Sequence, residues 1–339
     1  MANVRNSQPT GANITVLGAG SLGSIYAAWA AQAGNTVTVV ARSAHVDAIN
    51  AGGLTLVNRD GSSQNISLRA TTDPRDIKEC DFLCLACKAP DTEPLLDAFL
   101  SRQRSVKASF SIQNGVRQAE PLQRRFGSSA LACVSMVGGT LTSPGTVTHT
   151  FEGATYLGPV SLQDSQQALA AAAELATHFG GNGFVGRPDI MSVLWSKAIL
   201  AAAAMAMSSI TRMNYHRIFE LAGNCEAFLD LVKEAASIAK AEAIPLVDLP
   251  GPLQAGYLVG LPQDEALTLL TDLSKSLVSS GQTQVRVSML QSIDRRRPTE
   301  VTAVFSDLLS IAARHNLYLP RLAFVTKVLE SIDQDIRET

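Results

Sequence analysis

Over the first half of the chain, short apolar runs alternate with stretches of helical periodicity. Ile14-Thr15-Val16-Leu17 leads into Gly18-Ala19-Gly20-Ser21-Leu22-Gly23 and then into the helical stretch Ser24 to Ala33. Further β-branched or apolar runs fall at Thr36 to Val40, Phe82 to Cys87 and Ser109 to Ile112, with helical patterns over Glu93 to Leu100 and Gln118 to Phe126. Strand and helix in alternation predict a parallel sheet with crossover helices. From Leu131 to Leu157 the pattern breaks into short β-rich pieces around Gly138-Gly139, Ser143-Pro144-Gly145 and Gly153. That text predicts antiparallel hairpins closing the sheet at one edge. A helix over Gln163 to Phe179 and a strand at Phe184-Val185 complete the region. Beyond Arg187-Pro188-Asp189 every segment is helical in pattern: 191–210, 218–242, 264–277, 289–296, 299–315 and 320–332.

The turn at residues 18–23 has the spacing of a phosphate-binding loop between a strand and a helix. Gly18 permits the tight turn, Gly20 lets backbone approach a pyrophosphate, and Gly23 lets the helix pack close to the strand. Ser21 and Leu22 complete the loop, and the helix that follows presents free N–H groups and a positive dipole end to phosphates. About twenty residues on, at the end of the next strand, an acidic residue would favour NAD and an arginine would favour NADP. This chain has Arg42, which otherwise reads as a surface arginine at a strand end.

The chain thus divides into a polar leader over residues 1–12, an α/β dinucleotide-binding domain over 13–188 and an all-α domain over 189–339. A length of 339 residues agrees with two cores. The leader lacks the apolar core of a secretory signal, so it is expected to be disordered and the protein cytoplasmic. A net charge of −2 without a basic stripe excludes a nucleic-acid surface. The stretch Met191 to Ile210 raises the question of a membrane span, but Lys197, its serines and its alanines favour a core helix of a soluble bundle. Five cysteines form an odd set, so no disulfide framework is expected. Cys84 and Cys87 form a C-x-x-C, but they lie in a buried-strand pattern without the second ligand pair a zinc site needs. No metal site is expected.

Lys197 is the one charge in its apolar helix. Desolvation should lower its pKa toward the range useful for proton transfer, which makes it a candidate general acid; the alternative is a lysine snorkelling to the surface. Lys88 and Gln113-Asn114-Gly115 end successive strands at the carboxyl edge of the sheet, where ligands bind in open α/β folds. Ser288-Met289-Leu290-Gln291 leads to Arg297-Pro298-Thr299-Glu300, in which Thr299 can cap a helix with Glu300 in its first turn.

Taken together, the glycine turn, Arg42, Lys88-Ala89, Gln113-Asn114-Gly115, Trp195-x-Lys197 and the run from Ser288 to Glu300 resemble the ketopantoate reductase (2-dehydropantoate 2-reductase) family from Ile14 to about Ile332. The resemblance implies a Rossmann domain, a helical C-terminal domain and an NADPH/NADP site in the cleft between them. It implies a reductase of a 2-oxo acid, serving pantothenate biosynthesis, with Lys197 as proton donor and Glu300 as the carboxylate near it. Asn114 would line the nicotinamide and substrate region, Ser288 would bind substrate, and Lys88 with Arg42 would contact the cofactor.

The chain departs from the family where asparagines are expected. Ala201 and Met205 stand four and eight residues after Lys197, on the same helix face, and Val285 stands three before Ser288, with Arg286 beside it. A pocket lined by Ala201 and Met205 implies a 2-oxo or 2-hydroxy acid more apolar than ketopantoate. The alternative is an NADP(H)-binding sensor in which no hydride moves. The apolar segments Pro250 to Leu253 and Tyr257 to Leu261 leave a homodimer interface, a core role and a substrate lid open.

Overall fold

The computed structural model describes residues 11–102 and 105–338. The expected leader therefore lies outside the described residues, apart from Gly11 and Ala12. Ala12 is buried: its N–H donates to Asn35 Oδ1 at 3.0 Å and its carbonyl accepts from Thr36 N–H at 3.0 Å. The chain forms two compact units, one of residues up to Gln113 with Gln118–Ile190, the other of Asn114–Arg117 with residues from Met191 onward. Four residues from the middle of the α/β text thus belong with the helical unit, a division that local periodicity does not encode.

The first unit contains β1 (Asn13–Leu17), α1 (Ser21–Gln32), β2 (Thr36–Val40), α2 (Ser43–Gly52), β3 (Leu54–Val57), β4 (Ser63–Ile66), β5 (Arg69–Thr71) and β6 (Phe82–Leu85). It continues with α3 (Thr92–Leu100), β7 (Ala108–Ser111), α4 (Glu120–Phe126), β8 (Ala130–Ser135), β9 (Gly138–Ser143), β10 (Thr146–Phe151), β11 (Thr155–Pro159), α5 (Ser165–His178) and β12 (Phe184–Gly186). Eight strands make one sheet in the order β12-β11-β8-β7-β6-β1-β2-β5. The six from β8 to β5 run parallel, and β11 is antiparallel to β8. This is the mixed α/β domain the alternation predicts.

The expectation that all the hairpins close one sheet edge needs correction. β8 and β11 do so, but β9 and β10 leave to form a second sheet, β4-β3-β10-β9. Its other half is a hairpin with its turn at Asp60-Gly61, where Gly61 takes φ +84°. The Asp-Gly step between two β-rich runs is a local hairpin signal absent from the expectations above. The second sheet explains α1, which lies against β1 and β2 and also against β3, β9 and β10. Covered by two sheets, it buries residues 23–30 without a break, as a helix apolar all round must. Its Tyr26 hydroxyl donates to Ser135 Oγ at 2.8 Å and pairs with Thr155 Oγ1 at 2.5 Å. Burial raises the phenol well above its ordinary pKa.

The second unit contains α6 (Ile190–Thr211), α7 (Tyr215–Ile218), α8 (Ala222–Ala241), α9 (Ala255–Gly260), α10 (Gln263–Ser279), α11 (Ser288–Asp294), a π-helical turn over Thr302–Ser306 that runs into α12 (Asp307–Arg314), and α13 (Pro320–Glu338). The long helix expected from Ile218 starts later, because Phe219 turns inward to meet Phe228 edge-on at 5.0 Å. By length and composition α6 could cross a membrane, but 78% of its most apolar window is buried. Its buried side chains, from Trp195 to Met207, belong to the core of the helical unit.

Candidate active site

The glycine turn is built by close approach. Gly18 takes φ +97°, and a Cβ there would lie 2.4 Å from the Cα and N of Cys87 at the end of β6. At Gly23 a Cβ would lie 2.5 Å from the carbonyl oxygen of Gly18 and 3.0 Å from Ala86 Cβ. Packing within the protein requires both glycines. Gly20 differs: a Cβ there would meet nothing within 4 Å, so the fold itself makes no demand for glycine. Gly20 is also the N-cap of α1, which has no side-chain cap and no acidic residue in its first turn. An open-faced glycine beside an uncapped, uncharged helix N-terminus fits an anionic group such as a pyrophosphate. The Ser21 hydroxyl accepts from Leu141 N–H at 2.9 Å, which ties the loop to β9, and Leu22 packs against the core.

Arg42 is exposed and forms the N-cap of α2 just beyond β2. Lys88 is half-buried and heads the turn Ala89–Asp91 after β6, so it follows directly on the Cys87 backbone that packs against Gly18. Gln113 holds this edge together, a role that its place in the Gln113-Asn114-Gly115 run does not reveal. Its Nε2 donates to the Cys87 carbonyl and to Thr92 Oγ1, each at 2.8 Å, while Oε1 accepts from Ser111 Oγ at 3.0 Å. Cys84 is wholly buried in β6, and burial pushes its thiol well above the ordinary range.

In the helical unit the structure joins two of the candidate residues. Lys197 Nζ donates to Asn114 Oδ1 at 2.9 Å, although the two stand 83 positions apart. Gly115, next in the chain, takes φ +100°, and a Cβ there would lie 2.4 Å from the carbonyl oxygen of Ala303. Only glycine lets this segment dock so closely on the π-helical turn. Arg117 adds an ion pair with Asp307 at 3.5 Å.

Thr299 and Glu300 are buried at the start of the turn leading into α12, where Thr299 Oγ1 accepts from Val301 N–H and the Glu300 carbonyl accepts from Val304 N–H at 3.0 Å. Asp333 of α13 anchors them by accepting from Thr299 N–H and from Arg337 Nε. Burial opposes its charge, yet these donors hold the Asp333 carboxyl below its ordinary pKa. Sequence reading missed Asp333 because its partner lies 34 positions away. Ser288 is exposed at the first position of α11. Of the positions where the family's asparagines are missing, Ala201 is half-buried and Val285 is 42% exposed, but Met205 is 6% exposed within the helical core. Met205 therefore packs inside the unit in this conformation.

The model of the family described as ketopantoate reductase PanE/ApbA matches residues 14–161, and that of its C-terminal domain matches residues 189–333. A 2-dehydropantoate 2-reductase of Pyrococcus abyssi is 28% identical over 314 residues, 91% of this chain and 93% of its own. One from Mesorhizobium japonicum is 26% identical, covering 86% of this chain and 89% of its own. The crystal structure of a PanE/ApbA family ketopantoate reductase from Ralstonia eutropha JMP134 superposes with a TM-score of 0.78 at 24% identity, over 96% of this chain and 99% of its own. D-mandelate dehydrogenase, solved with NADH and anilino(oxo)acetate, gives 0.79 at 18% identity over the same shares. With both domain models matched in order and full-length relatives aligned, the chain belongs to the ketopantoate reductase family of oxidoreductases.

Proposed function

We propose that this chain is an NADPH-dependent reductase of a 2-oxo acid, with Lys197 as general acid. The observation that carries the reading is the hydrogen bond from Lys197 to Asn114, at 2.9 Å. Lys197 is the only charged residue of α6, and a neutral amide holds its ammonium in place while leaving its charge intact. The cofactor, when bound, supplies the hydride. Lys197 Nζ gives a proton to the carbonyl oxygen as negative charge grows there, and Asn114 Oδ1 orients the ammonium for that transfer. Glu300 is proposed as the carboxylate of the substrate region and Ser288 as a substrate contact.

Gly18, Gly20, Ser21, Leu22 and Gly23 would hold the pyrophosphate on the N-terminus of α1, and Lys88 would add positive charge at the same edge. Arg42, exposed at the end of β2, supports NADPH over NADH through a 2′-phosphate contact. Ala201, one turn beyond Lys197, supports a substrate more apolar than ketopantoate, while the burial of Met205 narrows that argument to Ala201 and Val285. That D-mandelate dehydrogenase shares the fold is compatible with a bulkier substrate.

Single-turnover absorbance of NADPH, with ketopantoate and a panel of bulkier 2-oxo acids, tests the reading. Lys197→Met should slow the chemical step by about 100-fold or more while leaving NADPH affinity near wild type. Unchanged turnover in that variant removes Lys197 from the mechanism. Binding of NADPH with no oxidation by any 2-oxo acid would favour the sensor instead. Efficiency on ketopantoate equal to that on the best apolar acid refutes the shifted specificity.

A further inference from the structure

His45 has no part in the mechanism above, yet it is buried and both of its ring nitrogens are engaged. Nδ1 accepts from Gly145 N–H at 2.9 Å, so the ring proton must sit on Nε2, which meets Ser24 Oγ at 3.1 Å. The position of these partners matters more than their number. His45 lies in the first turn of α2, three residues after Arg42, and Ser24 lies at the start of α1, three residues after Ser21. Gly145 belongs to the β9–β10 turn, whose packing on α2 is tight enough that a Cβ at Gly145 would lie 3.0 Å from Ala48 Cβ.

We infer that His45 is a positioning residue for cofactor discrimination: it ties the first turn of α2 to that of α1, which fixes Arg42 relative to the pyrophosphate loop. The inference rests on the NADPH reading above. A dinucleotide bearing a 2′-phosphate must touch both places at once, so its affinity depends on their spacing. One lacking that phosphate needs only the α1 loop and is indifferent to α2.

The same geometry makes the clamp sensitive to acid. A protonated ring carries N–H groups on both nitrogens, and the Nδ1 proton would face the N–H of Gly145 with no acceptor between them. Little nearby charge stabilises that form. α1, β3 and β9 contain no charged residue, β10 contributes only His149, and the remaining groups are Arg42 and Asp47 on the helix itself and Arg69 on β5, all exposed. Burial accordingly lowers the pKa of His45.

Fluorescence titration of NADPH and NADH tests this on wild type, His45→Asn, Ser24→Ala and the double variant. Asparagine keeps an acceptor near the position of Nδ1 but removes both the Ser24 bond and the titration. Each single variant should lose about tenfold in the NADPH-to-NADH affinity ratio with NADH affinity nearly unchanged, and the double variant should lose no more than the larger single. In wild type the ratio should hold at neutral pH and fall as pH drops below about 6.5, and it should fall less in His45→Asn. Both proteins see the same titration of the ligand's own phosphate, so the difference isolates the histidine. A ratio unchanged in both single variants, or an equal loss for both nucleotides, overturns the inference. Ser24→Ala deletes one hydroxyl and decides the matter even if His45→Asn does not fold. Wild-type protein that binds NADH as tightly as NADPH overturns the cofactor reading itself, before any variant is compared.

Discussion

Replacing Gly18 and Gly20 by alanine, one at a time, should separate what the fold requires from what a dinucleotide requires. At Gly18 the backbone has φ +97°, which costs a residue with a Cβ about 1–2 kcal/mol. The added methyl would lie 2.4 Å from the Cys87 backbone, which cannot rotate away as a side chain would, and such overpacking costs about 1–3 kcal/mol more. Gly18→Ala should thus lose about 2–5 kcal/mol, a fall in melting midpoint of about 4–20 °C for a unit of this size. Gly20→Ala meets nothing within 4 Å and has φ −84°, so its cost is the weaker N-cap, at most about 1 kcal/mol. The same methyl occupies the place where a pyrophosphate would approach α1. NADPH affinity should fall by tenfold or more, about 1.4 kcal/mol, in a protein that melts almost as wild type does. Differential scanning fluorimetry and nicotinamide fluorescence measure the two quantities on the same samples. A Gly20→Ala protein that binds NADPH like wild type, or that is destabilised as much as Gly18→Ala, would refute this separation of roles.

Burial lowers the pKa of His45, His149 and His178, all in the first unit. With folded values below the ordinary one of about 6.5, their contribution to stability is complete above that pH and is lost as pH falls through the folded values. The melting midpoint should therefore decline on acidification before the carboxylates titrate, and a midpoint flat from neutrality to pH about 5 would contradict this. Tyr26→Phe should cost about 1–3 kcal/mol, seen by chemical denaturation, because it leaves Ser135 and Thr155 without their buried partner. Asp333→Ala should lower turnover by about tenfold with NADPH affinity intact, since it frees the Thr299-Glu300 segment from α13; equal turnover in steady-state assays would show that the anchor is dispensable.

Much of the first unit was legible because its signals are local. A strand, a glycine turn and a helix lie within about twenty consecutive residues, and period and turn chemistry report on them directly. The β3–β4 hairpin is equally local, its signal being the Asp60-Gly61 turn. The destination of β9 and β10 was not legible. A hairpin's alternation fixes which side chains share a face, not which sheet receives it, and here β9 and β10 lie against the second apolar side of α1. In the helical unit, Lys197 is legible as the one charge in an apolar helix, whereas Asp333 has the sequence context of any surface aspartate of an amphipathic helix.

By itself the sequence determined the periodicities, the glycine turn and the residue types able to grip phosphates or give a proton, all of which act between near neighbours in the chain. Only the tertiary structure decided which distant side chains meet. Asn114 to Arg117 leave the unit that surrounds them in sequence, Lys197 finds the amide of Asn114, and His45 joins two helices to a hairpin turn a hundred positions away. A hydrogen bond requires its atoms within about 3 Å of each other, and separation along the chain says almost nothing about that distance once the backbone has turned.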